Sequence, residues 1–300
     1  MNLAHPHEPG RAHSLEGRVV DTHVHVWTSD VQRYPLAPRW TMRDMDPPSF
    51  TPEELLTQCR PAGVGRINLV QMSFYGDDHR YLLDAVARYP QVFAATGLLP
   101  DVVSEDARPL ERIRELWASG IRAVRLVGGS LERRGKDWMA HPHYEALYRF
   151  GAEQRVILSF QVNPADLSEI DRLCRRFPDT PVLIDHVARI GLDDTDVDAA
   201  IRMLCDCARH RSIRVKLGAF YALSRTGPPY LDLLPLIERV VASFGPERCM
   251  WESDAPFQTQ GPHDYNSSLS LIRDHAPFLS ESDKEQILWR TAESLFFTGV

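Results

Sequence analysis

A short run near the start of the chain, Asp21-Thr22-His23-Val24-His25, sets two imidazoles one residue apart. If the run is a strand, side-chain alternation puts His23 and His25 on the same face, where together they can hold one metal ion. Asp185-His186 and Ser253-Asp254 end two later apolar runs and add a third imidazole and a carboxylate. Such a donor set suits a divalent ion that polarises a carbonyl or activates water. Without an ion, the same groups supply a general base and hydrogen-bond donors to an oxyanion. A lone His-x-His or Asp-His is common by chance, so the argument rests on joint placement. All four residues fall at the C-terminal ends of candidate strands, and core packing gives histidines no reason to gather there. Gln71, Arg125, Gln161 and Lys216 stand at other strand ends, although an arginine there also suits simple pairing with a carboxylate.

The elements that must carry these residues are legible as alternation along the chain. Eight β-branched runs read as strands: RVVDTHVHV from Arg18, RINLVQM from Arg66, VFAATGLL from Val92, IRAVRLV from Ile121, RVILSFQV from Arg155, PVLIDH from Pro181, IRVKLG from Ile213 and RCMWESD from Arg248. Between them, PEELLTQCRPAG after Thr51 has proline and glutamates in its first turn and glycine past its end, which predicts a helix. Apolar periodicity predicts others over Asp77–Tyr89, Glu105–Ala118, Tyr144–Glu153, Pro164–Phe177, Val197–Arg209, Leu231–Phe244 and Asp283–Leu295. Eight strands each followed by a helix predict the α/β class, as a single-domain (β/α)8 TIM barrel over 18–300 behind a short flexible tail, 1–17. A doubly wound sheet is the rival, and its Gly-rich turn after the first strand is absent. Barrel active sites lie at the C-terminal ends of the strands, where the polar residues above converge.

Composition is that of an ordinary globular chain: 300 residues, 43% hydrophobic, 25% charged and 9% aromatic. Lysines and arginines number 34 against 41 acidic residues, a net charge of −7 that repels phosphate backbones and argues against nucleic acid as a partner. The opening stretch lacks the apolar run of a signal peptide or membrane span, so the expectation is a cytoplasmic protein without a membrane partner. Its His5, His7 and His13 offer no rigid ligand frame. Five scattered cysteines suit a reducing compartment, and Cys205-x-Cys207 reads as helix packing because no second pair accompanies it. The expected partner is a small-molecule substrate, with homo-oligomer formation left open.

The motifs DTHVHVW, YPLAP at Tyr34–Pro38, VLIDHVARIG and MWESDAPF resemble those of the amidohydrolase superfamily. The likeness is to the TIM-barrel branch that includes 2-pyrone-4,6-dicarboxylate lactonase, 4-sulfomuconolactone hydrolase and L-fuconolactonase. It covers the chain from Arg18 onward. The resemblance implies a catalytic centre at His23, His25, His186 and Asp254. It also implies that Arg125 and Arg189 bind substrate carboxylates, and that Ser159 stands where the pyrone lactonase has a substrate-contacting tyrosine. The strand-five histidine and strand-four lysine of many metal-dependent relatives are missing from ILSFQV and AVRLV, which argues against a binuclear centre. Two readings stay open: one divalent ion, zinc or manganese, on His23, His25 and Asp254 with or without His186, and hydrolysis without a metal. Glu252 and Ala255 replace the glycine and second tryptophan usual in the strand-eight motif.

The leading expectation is opening of a lactone by water activated at Asp254, with the histidines or an ion stabilising the oxyanion. The alternatives are a metal-dependent non-oxidative decarboxylase and an inactive binding barrel. Two loops at the expected mouth, MSFYG and GAFYALSRTGPPY, nominate Tyr75, Tyr221 and Arg225 as substrate contacts, with loop packing as the competing explanation.

Overall fold

Eight parallel strands run in sequence order around the barrel: β1 Val19–Val24, β2 Val64–Val70, β3 Phe93–Leu99, β4 Ala123–Val127, β5 Ile157–Gln161, β6 Val182–Ile184, β7 Ile213–Leu217 and β8 Cys249–Trp251. The computed structural model describes residues 17–104, 107–127, 138–192 and 196–297. The expected tail up to residue 16, with its three histidines, and the expected helix start at Glu105 lie outside these residues. Seven neighbouring strand pairs carry parallel ladders. Closure between β8 and β1 is made just beyond β8, by a parallel bridge of Val24 with Ala255. There the His25 N–H donates to Ala255 O and the Asp254 N–H donates to His23 O, each at 2.9 Å. The hydrogen bonds that close the barrel therefore also fix His23, His25 and Asp254 relative to one another.

Each predicted strand is present, and most are shorter than their apolar runs. The difference matters at β6 and β8, where the chain leaves the sheet before the polar residues arrive. His186, Val187, Ala188 and Arg189 have φ of 52°, 44°, 56° and 58°, and Asp254 has φ 66°. Five non-glycine residues in the left-handed region store backbone strain, here concentrated at the barrel mouth.

The interior is graded from one end to the other. Val20, Ala123, Ile157, Leu183 and Met250, each the first or second residue of its strand, pack with Ala292 and Phe296 of the last helix, Thr291–Phe296. That apolar plug fills the N-terminal end. One step up, Asn68 donates to Thr22 O at 3.0 Å and to Thr96 Oγ1 at 2.9 Å. Two residues on from the floor, alternation delivers Arg125, Ser159, Asp185 and Glu252 to the same interior. The larger apolar cluster lies between sheet and surrounding helices.

The helices follow the periodicity. Pro52–Cys59 opens with a capping box in which Thr51 and Glu54 satisfy each other's backbone N–H groups. The segment expected from Asp77 becomes helical at Arg80, and the ring of the preceding His79 accepts the Leu98 N–H at Nε2, 2.9 Å away. Tyr265–Arg273 is a helix the periodicity did not reveal; its serine-rich sequence has weak helix propensity, and the Asp264 side chain caps it by accepting from Ser267 N–H. Among the described residues, no helix is long and apolar enough to cross a membrane.

Candidate active site

His25 fixes its own tautomer. Its Nδ1 lies 2.9 Å from Val70 O, a pure acceptor, so Nδ1 carries the proton and Nε2 presents a bare lone pair. That Nε2 lies 3.3 Å from His23 Nε2 and 3.5 Å from Asp254 Oδ1, and His23 Nε2 lies 3.8 Å from the same oxygen. Zinc–ligand distances of about 2.0–2.1 Å in a tetrahedral site put neighbouring donors about 3.3–3.4 Å apart. The two ring nitrogens and one carboxylate oxygen fit one divalent ion on that measure, and the donor types are those such ions take. The other carboxylate oxygen, Asp254 Oδ2, accepts from the Tyr221 hydroxyl at 2.8 Å.

Behind this face lies a layer of buried charge. Ser159 Oγ donates to Asp185 Oδ1 at 2.8 Å, Lys216 Nζ lies 2.9 Å from the same oxygen, and Arg125 Nε donates to Asp185 Oδ2 at 3.1 Å. Glu252 Oε1 accepts the backbone N–H of His186 at 2.9 Å and its Nδ1–H at 2.6 Å, while Oε2 lies 3.2 Å from His23 Nδ1. The left-handed turn at His186 is what lets backbone and ring reach one carboxylate. Room for Glu252 depends on Gly218: a Cβ there would stand 2.2 Å from Glu252 Cγ. Asp21 Oδ1 accepts the N–H groups of His23 and Ser253, tying β1 to the segment after β8.

The electrostatics follow from burial and neighbours. Burial drives His23 down to about 4, aided by the Lys216 and Arg125 charges, so the ring is neutral near pH 7. For His186 burial also favours the neutral form, yet the Glu252 and Asp254 carboxylates outweigh it and raise the pKa. Burial disfavours ionised Asp254, but the surrounding imidazoles, His186 foremost, hold it well below the usual carboxylate range. Asp185 is likewise held well below its ordinary value, with Lys216 as the strongest favourable charge against desolvation. Asp21 has no such partners, and burial pushes it up to about 7.

A cavity of about 850 Å³ opens above this layer, with His25 and Asp254 at its base and Arg125, Gln71, Gln161 and Tyr221 among its walls. The sequence expectations divide accordingly. Arg125, Gln71 and Gln161 line the space; the Gln71 amide is already committed, donating to Asp78 O at 2.8 Å. Ser159 and Lys216 are fully buried, contact Asp185 and do not line the cavity. His23 and His186 are buried too, and His186 Nε2 faces Arg125 Nη2 at 3.3 Å. Tyr75 is turned into the loop packing: its hydroxyl accepts from Thr28 N–H at 3.0 Å and its ring packs against Tyr81. Arg189 is half-buried in the left-handed turn and does not line the cavity. Arg225 is exposed, its backbone N–H donating to Asp232.

Sequence reasoning did not assign roles to Asp21, Asp185 and Glu252, although all three stand inside the motifs that nominated their neighbours. Alternation from Met250 through Glu252 to Asp254 carries the signal, since residues two apart share a face. Arg39 and Trp40, which wall the cavity from the loop after β1, had no such pattern to expose them.

Known proteins share this arrangement of chain. Over residues 20–298 the sequence matches the family described as Amidohydrolase. It is 26% identical over 258 residues to L-fucono-1,5-lactonase of Burkholderia ambifaria, covering 84% of this chain and 85% of that protein. It is 28% identical over 288 residues to 4-sulfomuconolactone hydrolase of Hydrogenophaga intermedia, covering 92% and 88%. The crystal structure of an amidohydrolase from Burkholderia multivorans with bound zinc superposes with a TM-score of 0.75 at 18% identity, covering 93% of this chain and 98% of that one, and so shares the barrel fold. With the family match running through nearly the whole chain, the protein belongs to the amidohydrolase family and is an enzyme of hydrolase type.

Proposed function

We propose that the enzyme adds water to a lactone, a cyclic ester, carried by a small carboxylated substrate. The observation that carries this reading is the position of Asp254: one oxygen faces two imidazole nitrogens, the other is oriented by Tyr221, and both sit at the base of a cavity walled by Arg125. The names of the two relatives, a lactonase and a sulfomuconolactone hydrolase, support the ester class.

His23, His25 and Asp254 would hold the divalent ion, which when bound supplies Lewis acidity to the substrate carbonyl, and the zinc in the Burkholderia multivorans structure supports that choice. The remaining work belongs to side chains. Asp254, ionised at neutral pH, accepts a proton as water attacks the carbonyl carbon, and returns it to the ring oxygen as the acyl C–O bond breaks. Tyr221 remains a phenol, because burial and the Asp254 charge raise its pKa, so it stays a donor that fixes the carboxylate's orientation. Arg125 is held by Asp185 and presents the rest of its guanidinium fork to a substrate carboxylate. The product is an open hydroxy acid, which ionises and releases one proton.

The test is a panel of carboxylated and neutral lactones read by proton release in a weakly buffered indicator. Asp254→Asn keeps the shape and removes the base, and a folded variant is expected to lose about 10²–10⁴-fold in kcat. Unimpaired turnover by that variant, or release of CO₂ in place of ring-opened acid, overturns the reading.

A further inference from the structure

His23 Nδ1 has two close side-chain neighbours of opposite hydrogen-bonding character, with Asp185 Oδ1 farther off at 3.7 Å. Lys216 Nζ, at 3.1 Å, only donates when charged; Glu252 Oε2, at 3.2 Å, only accepts as a carboxylate. One ring nitrogen cannot serve both, and the choice is transmitted across the ring. If Lys216 donates to Nδ1, the neutral ring carries its proton on Nε2. A single directional chain then runs Lys216 Nζ–H to His23 Nδ1, His23 Nε2–H to His25 Nε2 at 3.3 Å, and His25 Nδ1–H to Val70 O at 2.9 Å. Every ring nitrogen is satisfied, and no lone pair is left for a cation. The cost falls on Glu252 Oε2, which is buried and left without a hydrogen-bond partner.

If instead His23 Nδ1–H donates to Glu252 Oε2, Lys216 retains Asp185 Oδ1 at 2.9 Å. His23 Nε2 is then bare and points with His25 Nε2 and Asp254 Oδ1 at one place. The ring stays neutral in both arrangements, since Nε2 gives up one proton and Nδ1 takes one. Only the second can bind a divalent cation, and its carboxylate-to-imidazole bond is the kind of outer support that orients a metal-ligating histidine.

We propose that Lys216 and Glu252 are opposed positioning residues that, through the tautomer of His23, set the divalent-cation affinity of the face formed by His23, His25 and Asp254. The proposal rests on the reading of those three residues as the cation-holding set, and no lactone enters its test. Glu252→Gln is the sharpest variant. Two His186 donors already claim the Oε1 position, so the amide nitrogen is directed at His23 Nδ1, and both neighbours of that nitrogen become donors. Lys216→Met removes the competing donor and leaves Glu252 alone.

The full-length protein is stripped with chelator, and zinc is titrated against a chromophoric competitor for the wild type and both variants. In parallel, long-range ¹H–¹⁵N spectra of histidine-labelled, stripped protein read the His23 tautomer, assigned by difference with His23→Gln. Expected are a Nε2–H ring in the wild type, zinc binding weakened about 10–100-fold in Glu252→Gln, and binding tightened at least several-fold in Lys216→Met with its ring shifted to Nδ1–H. Unchanged zinc affinity in Glu252→Gln overturns the proposal, as do weaker binding in a cooperatively melting Lys216→Met, a Nδ1–H ring in the stripped wild type, or failure of both wild type and Lys216→Met to bind zinc. If Lys216→Met does not fold, the wild-type tautomer and the Glu252→Gln titration decide alone.

Discussion

Asp185→Asn removes one charge from the centre of the buried layer and little volume. The carboxylate is fully buried and is met on both oxygens: by Ser159 and Lys216 on Oδ1 and by Arg125 on Oδ2. An asparagine can accept at one position only, and its amide group turns a donor toward a cation. Breaking one side of a buried ion pair typically costs about 3–5 kcal/mol, because the remaining charge stays desolvated. Here two cations lose their common partner, which places the expectation in that range. Unfolding entropy of about 2.1 cal/mol/K per residue gives about 0.6 kcal/mol/K for a chain of this length. The corresponding fall in Tm is about 5–8 °C. Calorimetry or far-UV circular dichroism of wild type, Asp185→Asn and Ser159→Ala reads it. Ser159→Ala, which loses one hydrogen bond to a charged acceptor worth about 1.5–3 kcal/mol, is expected to fall by less. A Tm for Asp185→Asn within about 1 °C of wild type refutes the claim that this carboxylate neutralises the layer.

Tyr221→Phe keeps the ring against Phe257 and deletes the donor to Asp254, so kcat for lactone opening is expected to fall about 10-fold, with a Tm loss no larger than that of Ser159→Ala. Equal rates would remove Tyr221 from the mechanism. Asp171 makes a surface prediction with a definite sign: burial opposes its ionisation, but Arg209, His210 and Arg175 outweigh this and lower its pKa from 3.8 to about 2. A depressed carboxylate stabilises the fold above its unfolded pKa and loses that contribution as pH falls through the folded value. The Tm gap between wild type and Asp171→Asn is therefore expected to be full above about pH 5 and to close toward pH 2; a gap independent of pH in that window contradicts the assignment.

The barrel was legible because its strands are buried on both faces and read as apolar runs, a signal independent of partners. Three of the four nominated centre residues needed only local information too, since His23 and His25 share a face by alternation and Asp254 ends the last run. What alternation does not report is depth. Ser159 and Lys216 take interior-facing positions by alternation, yet they are buried beside Asp185 and do not line the cavity. Both contact Asp185 Oδ1, and a strand pattern does not say how far up the barrel the solvent reaches. Tyr75 is turned from the cavity for a different reason: a tyrosine in a mouth loop has an apolar ring and a polar tip, and loop packing satisfies both. The left-handed turn that aims His186 at Glu252 carries no glycine to announce it.

The division of labour between the barrel ends explains how so much charge is tolerated in one interior. Lys216, Arg125, Asp185, Glu252 and Asp254 are each almost wholly removed from solvent, and such groups are weak evidence of stability at best. Offsetting burial comes from elsewhere, from the plug formed by Val20, Ala123, Ile157, Leu183 and Met250 with Ala292 and Phe296, and from the apolar layer under the helices. The same separation makes the charged layer adjustable. A proton can relocate on His23, or a ligand-facing group can change partners, without disturbing the residues that hold the barrel shut at its floor. Closure at the mouth is another matter, because the backbone bonds joining His23, His25, Asp254 and Ala255 are at once the last rungs of the barrel and the scaffold of the site. Perturbations that loosen β8 against β1 should therefore cost stability and activity together, whereas Tyr221→Phe should cost activity far more than stability.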